Sequence, residues 1–436
     1  MNEVKTDIAV QVARIVGDDG LVATADLAAY AVDGLVPAAV ALPDSVEKVS
    51  RLLAFANEAG LAVVPRGGGT AMSMGSIPRR VDLVISLQRL NAVVDHSPED
   101  LTVTVQAGVT LGRLQSVLAQ HGQMLAVDPP LPGQATIGGI LATNASGPLR
   151  YQFGTPRDLV LGTLVVYPDG AVAKAGGRTV KNVAGYDMSR LHIGAFGTLG
   201  IIVETTCKVS PIPKKLITVA GNFDTLLAAS AAARALRMAR IVPWSLVLTS
   251  PSLLPTTGHG YTVAVRLGGP PAVIEPQAQR AIDALKDAQG SQVGEMAQAE
   301  DGFWPAVRDW PASVGDDNSS VIRIGVAPSH VRDVMTSIND IASRSGLTAT
   351  LLAYPGAATI YCHLPAATEK LADAIGSMLA VGKEWNGHLV VQRAPLTLKA
   401  RLPVWGAASA DALTQRVKET FDPKGILNPG RFVGGL

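Results

Sequence analysis

The chain has 436 residues, too many for one ordinary domain and enough for two or three with cores of their own. Its 37 Lys and Arg balance 36 Asp and Glu, which leaves no basic excess for a phosphate backbone or an anionic membrane surface and argues against nucleic acid as a partner. Charged residues make up only 17% and hydrophobic ones 47%, which fits either surface buried against partner subunits or an Ala- and Gly-rich coding bias.

The first 20 residues carry acids throughout and lack a basic stretch followed by an apolar one, so no signal peptide is expected. No uncharged apolar run is long enough for a membrane-spanning helix, so direct membrane insertion is not expected either. Cys207 and Cys362 are far apart in apolar, strand-like contexts, with no cluster for zinc or iron–sulfur; they fit a reducing compartment, with a single disulfide between them left open.

From Asp44 to Gly60, apolar residues at Val46, Val49, Leu52, Leu53 and Ala56 keep a helical period, with Asp44 or Ser45 as cap and Gly60 as stop. The strand-like LAVVP follows and runs into Pro65, Arg66, Gly67, Gly68, Gly69, Thr70 and Ala71. Consecutive amides unshielded by side chains form either a structural turn or a nest for a pyrophosphate, to which Arg66 adds charge. VDLVISL and LTVTVQAG alternate as strands, with HSPED between them as a turn, and VTLGRLQSVLAQHG reads as a helix. DPPLPGQATIGGILATNASG reads as a long ordered loop in which Thr136, Gly138, Gly139, Thr143, Asn144 and Ser146 interleave hydroxyl and amide groups with glycines. It is either an ordinary polar loop or one suited to a polyphosphate and a flavin edge.

DLVLGTLVVYPDGAVAKA predicts a hairpin turning at Pro168-Asp169-Gly170. A third stretch combines Lys181, Asn182, Tyr186 and Asp187 with Gly194, Gly197 and Gly200, and the strand IIVETTCKVSPIP closes at Pro211 and Pro213. No GxGxxG follows a first strand with an acidic residue about 20 positions on, so a Rossmann nicotinamide site is not expected. Beyond that point strands such as YTVAVRLGG and SSVIRIGVAP alternate with Ala-rich helices, the pattern of a second α/β domain with a mostly antiparallel sheet. The end holds one more helix, ALTQRVKETF, and DPKGILNPGRF; no internal repeat is evident.

PRGGGT, TIGGILATNASG, KNVAGYDMSRLHIGAFGTLGIIVE and FDPKGILNPGRF, in this order and spacing, resemble the vanillyl-alcohol-oxidase (PCMH-type) FAD-binding family over a little over half the chain. The resemblance implies an α+β fold: a PCMH-type FAD-binding domain of two α/β subdomains over 1–213, a ferredoxin-like antiparallel α/β domain over 214–405, and a tail, 406–436, returning to the first. It also implies FAD as cofactor. With Pro65 beside them in the cofactor site, Arg66 to Ala71 would cradle the pyrophosphate, and Thr136, Gly138 and Gly139 would close on it. Thr143, Asn144 and Ser146 would approach the ribityl chain and flavin ring, Gly194, Gly197, Thr198 and Ile202 the adenine, and Asn428 and Arg431 the flavin again. Members that bind FAD covalently have His just after the glycines, where this chain has Thr70, so the expected attachment is non-covalent.

Within the family, HLVVQRAPLTLKARLPVWG followed by FDPKGILNPGRF looks most like the E-subunit type of glycolate oxidase. That likeness implies a catalytic flavin subunit and an iron–sulfur subunit as partners, glycolate or a related 2-hydroxy acid such as D-lactate as substrate, and a cytoplasmic location, peripheral at the inner membrane through partners. Catalytic members carry GDGNxH and a later Glu-His-Gly, which supply metal ligands and a base; here the corresponding places read AYPGAATIYCHLP and VVQRAPLTLKAR, so no metal site is expected. His363 and His388 lie near those places without a second ligand at metal spacing, and Trp405 reads as core. Arg393 and Arg401, with Lys399, form either a pocket for a substrate carboxylate or a solvated basic face. Two rival functions stay open: a stand-alone FAD dehydrogenase of another 2-hydroxy acid or alcohol, and a flavin-bearing scaffold without turnover of its own.

Overall fold

A computed structural model describes residues 2–177, 186–251, 253–254, 260–316, 318–365, 369–406, 408 and 410–436. Two compact units divide the chain: Met1–Ala145, Thr155–Pro211 and Ala408–Leu436 form the first, and Ser146–Gly154 with Ile212–Ala407 form the second. Lys181 and Asn182 lie outside the described residues.

In the first unit the helix Val46–Ala59 forms where its period predicts. Ser45 caps it by accepting from the Lys48 amide, and Gly60 ends it at φ 64°, a left-handed conformation that costs glycine little. Its buried face, Val49, Leu52, Leu53 and Ala56, packs with Val12 and Val16 of the helix Asn2–Val16 over a three-stranded parallel sheet. The strands are Ala39–Ala41, Leu83–Ser86 and Val63–Arg66, with Leu83–Ser86 in the middle. The C-terminal tail comes in beside this sheet: Val63 donates to the Ile426 carbonyl (2.8 Å) and Asn428 to the Val63 carbonyl (2.9 Å).

The second sheet of this unit is antiparallel, in the order Val93–Ser97, Thr102–Gln106, Ile201–Lys208, Val160–Val166, Val172–Gly176. The hairpin Val160–Gly176 turns at Gly170 as expected. Two expectations need correction. HSPED is not wholly a turn, because His96 and Ser97 end the edge strand Val93–Ser97 and the reversal falls at Pro98–Leu101. The stretch after Asp128 is not all loop, because Ile137–Thr143 is helical, capped by the Thr136 hydroxyl and ended by Asn144 at φ 49°.

Among the described residues the second unit holds an eight-stranded antiparallel sheet. Lys215–Phe223, helix Leu226–Met238, Ser245–Thr249, Tyr261–Gly269, helix Pro271–Asp287 and Ser291–Glu295 make one β-α-β-β-α-β run. Ser320–Gly325, helix Val331–Arg344, Thr350–Tyr354, Thr359–Leu364, helix Glu369–Glu384 and His388–Arg393 make another. Each is ferredoxin-like, and they join where Ser245–Thr249 pairs with Thr350–Tyr354, through Leu248↔Ala353 and Thr249↔Leu352. Alternate strand residues face opposite ways: Leu246 and Leu248 enter the large core under the helices, while Val247 joins a second cluster around Phe303, Trp304 and Trp310. Cys207 and Cys362 are buried free thiols, each pushed up to about 12 by burial, which closes the disulfide alternative.

Candidate functional site

The strand Val63–Arg66 delivers PRGGGT directly against the segment that begins the helix Ile137–Thr143. The glycines are what permits this contact. A Cβ on Gly67 would overlap the Thr136 hydroxyl, and one on Gly68 would overlap the Gln134 carbonyl oxygen. The chain here shows its amides outward: among the described residues nothing accepts from the amides of Gly68, Gly69, Thr70 or Ala71. Arg66, half-buried, donates to the Ala29 carbonyl (3.0 Å) and lies 4.6 Å from the Tyr30 ring centre, while its buried Nε has no partner among the described residues.

An open pocket of about 70 Å³ lies over these amides. Its walls bring together Pro65, Gly67, Gly68, Gly69, Thr70 and Ala71 with Thr136, Gly139, Thr143, Asn428 and Arg431. A neighbouring pocket of about 60 Å³ shares Pro65, Gly67, Thr136 and Gly139 and adds Arg66, Gly138, Gly197 and Ile202. Thr143 donates to the Gly139 carbonyl (2.8 Å), which fixes its hydroxyl with acceptor capacity to spare. The third motif clamps the same helix: Gly194, at φ 83°, donates to the Leu141 carbonyl (2.9 Å) and Phe196 to that of Ala142 (2.8 Å). Thr198 is buried, its hydroxyl on the Ala195 carbonyl (2.6 Å). Asn144 caps the helix and accepts from the Arg157 amide, and Ser146 lies in the segment Ser146–Gly154 of the other unit.

Arg431 is 2% exposed. Its guanidinium donates to the carbonyls of Met72 (2.7 Å) and Met74 (2.9 Å) and to Asn428 Oδ1 (3.3 Å), and sits 5.4 Å from the Phe196 ring centre. Burial pulls its pKa down to about 10, with Asp33 opposing, so the group stays charged near neutral pH. Asn428, at φ 48°, donates to the Phe196 carbonyl (2.6 Å). The tail is pinned further by Lys418, which reaches Asp422 (2.6 Å) and the carbonyls of Thr198 (2.8 Å) and Leu427 (3.0 Å). Sequence reasoning missed Lys418, Asp422, His192 and Phe196; the only trace was the Lys and Asp four apart at the helix end.

In the second unit, Arg393 is bound in part to the main chain. It donates to the carbonyls of Ala312 (3.3 Å) and Val314, while its buried Nε has no partner among the described residues. Arg401 is exposed and Lys399 buried. His363 is 8% exposed, with its Nε2 lacking a partner among the described residues; burial and then Arg393 pull its pKa down. His388 is exposed, and Trp405 packs on the core. Among the described residues no three His, Cys, Asp or Glu side chains gather as a metal site would need, and no helix is long and apolar enough to cross a membrane.

Residues 37–176 match the FAD binding domain family, and residues 406–432 match the C-terminal domain of FAD linked oxidases. The chain is an FAD-linked oxidoreductase. Its cofactor is FAD, and the two matched segments of this oxidoreductase carry the glycine loops and Arg431. Over 427 residues it is 28% identical to the glycolate oxidase subunit GlcD of Bacillus subtilis, covering 91% of this chain and 89% of that protein. It is 28% identical to a D-2-hydroxyglutarate dehydrogenase of Xanthomonas citri, over 91% of this chain and 89% of that protein. It is also 26% identical to a D-lactate dehydrogenase of Archaeoglobus fulgidus, over 91% of each. These alignments reach well beyond the half of the chain covered by the sequence resemblance. Among solved structures, p-cresol methylhydroxylase superposes with a TM-score of 0.78 at 18% identity, over 98% of this chain and 96% of that one. Alkyldihydroxyacetonephosphate synthase does so with a TM-score of 0.68 at 20% identity, over 91% of this chain and 77% of that one. At these identities the superpositions establish the PCMH-type, α+β fold of the oxidoreductase alone.

Proposed function

We propose that this oxidoreductase is an FAD-binding subunit of a complex that oxidises glycolate, or a related 2-hydroxy acid such as D-lactate, to the 2-oxo acid. A second, catalytic flavin subunit works beside it, and an iron–sulfur partner receives the electrons. FAD supplies the redox chemistry when bound. The amides of Gly68 to Ala71, with Thr136, Gly138 and Gly139, hold its pyrophosphate without a covalent link. Thr143, Asn144 and Ser146 approach its ribityl chain and ring, Gly194, Gly197, Thr198 and Ile202 its adenine, and Asn428 with Arg431 the flavin. The fit rests on donors that the fold leaves open, the amides of Gly68 to Ala71 and the orphaned Arg66 Nε, in a cradle that a Cβ on Gly67 or Gly68 would wreck.

The substrate class follows from relatives named for glycolate, D-2-hydroxyglutarate and D-lactate that align over nine-tenths of the chain. The observation that favours a subunit over a self-sufficient enzyme is the sheet of the second unit. Where the sequence stands in for the GDGNxH histidines, Tyr354 and Tyr361 are buried with ring centres 5.7 Å apart, and Arg393 is bound to main-chain carbonyls. That stretch retains one histidine, His363, which is buried rather than open to a substrate. A steady-state assay with glycolate or D-lactate and a dye acceptor tests this: the isolated chain is expected to show no turnover and the reconstituted complex to show it. Turnover by the isolated chain would favour a stand-alone dehydrogenase instead.

A further inference from the structure

We propose that His192, braced by Tyr167, is a hydrogen-bonding contact of the adenine half of the bound cofactor, an inference that rests on the FAD reading above. His192 ends the short helix Met188–His192 and is 3% exposed. Its Nε2 lies 3.2 Å from the Tyr167 hydroxyl, and the Tyr167 and Phe421 rings pack on it with centres 5.6 and 5.9 Å away. Its Nδ1 is buried and has no partner among the described residues. Native proteins rarely leave such an atom unpaired unless something absent satisfies it.

His192 lines the narrow pocket of about 60 Å³ that continues from the amide cradle, beside Leu87, Gly200, Ile201 and Ile202. A dinucleotide anchored by its phosphates at Gly68 to Ala71 therefore has a glycine- and aliphatic-walled slot for a flat heterocycle at one end. The other polar side chains of that slot are partly committed: Arg66 to Ala29, and Thr136 to the Gly139 amide. Burial pushes the His192 pKa down to about 4, so the ring is neutral under ordinary conditions and suited to a heterocycle rather than to a phosphate. In the tautomer in which the Tyr167 phenol donates to Nε2, the ring proton sits on Nδ1, a donor matched to a ring nitrogen of adenine.

The test is a titration of the apoprotein with FAD, FMN and ADP, by calorimetry and flavin fluorescence, in the wild type and in His192→Phe, His192→Asn and Tyr167→Phe. His192→Phe keeps a flat aromatic ring, larger than imidazole, and removes the donor; FAD and ADP affinities are expected to fall about tenfold while FMN, which lacks adenine, is unaffected. His192→Asn places an amide near the lost Nδ1 and is expected to restore most of the loss, and it carries the test if the Phe variant fails to fold. Tyr167→Phe frees the tautomer and is expected to weaken FAD and ADP by less. Unchanged FAD affinity in a folded His192→Phe, or an equal loss for FMN and FAD, overturns the inference while leaving the FAD reading intact. A wild-type apoprotein that binds neither FAD nor ADP overturns both.

Discussion

Arg431 shows how a charge can be placed wholly inside a protein and still hold a site together. It joins Met72 and Met74, just past the glycine loop, to Asn428 in the tail. Arg431→Leu leaves those acceptors without their donor, so unfolding free energy is expected to drop by about 3 kcal/mol, read from urea denaturation, together with loss of FAD on gel filtration. Gly68→Ala acts differently, since its Cβ meets the Gln134 carbonyl oxygen. The expected outcome is a protein with near-native circular dichroism that purifies without flavin. For His192 the folded pKa of about 4 lies below the ordinary 6.5. As pH falls through about 6.5 the unfolded chain takes up a proton that the folded one refuses, so stability is lost down to about pH 4. Wild type should therefore lose up to about 3 kcal/mol more than His192→Phe across that window, measured by denaturation at each pH.

Elements differ in how openly the sequence declares them. The helix Val46–Ala59 was legible because cap, period and stop all agree. The helix Ile137–Thr143 was not, because Gly138, Gly139 and small residues erase the period; its reason is packing, with Gly138 set against Ala107, too close for a Cβ. Val93–Ser97 is a half-exposed edge strand without hydrophobic alternation, so its end read as a turn. The glycine loops and the closing NPGR could be found by motif, whereas His192 and Lys418 could not, since a lone histidine or lysine gives no sign in sequence that it will be buried. Lys418 and Asp422 bind the tail helix Ala412–Phe421 to its own exit, with Asp422 also accepting from the amides of Ile426 (3.0 Å) and Leu427 (2.8 Å). Asp422→Ala strands a buried cation and is expected to cost about 3–5 kcal/mol by urea denaturation, against about 1 kcal/mol for the half-buried cap change Ser45→Ala.

At the scale of the whole molecule, the division of labour between units explains why fold was easier to read than chemistry. The first unit repeats a cofactor solution whose glycines are dictated by backbone contact, so its motifs survive as sequence. The second is two ferredoxin-like runs joined edge to edge, yet no sequence repeat betrays the doubling, because each run needs only alternating apolar faces and not particular residues. Its sheet carries Tyr354, Tyr361 and an Arg393 bound in part to main-chain carbonyls in the two stretches that stand for the family's GDGNxH and Glu-His-Gly motifs. The measurement that tests this account most directly is an anaerobic absorbance spectrum of the purified chain before and after adding glycolate or D-lactate, first alone and then with its partner subunits. The account predicts flavin bands near about 370 and 450 nm that bleach only when the partners are present. Bleaching of the isolated chain by either acid, or no flavin bands even after adding FAD, would contradict it.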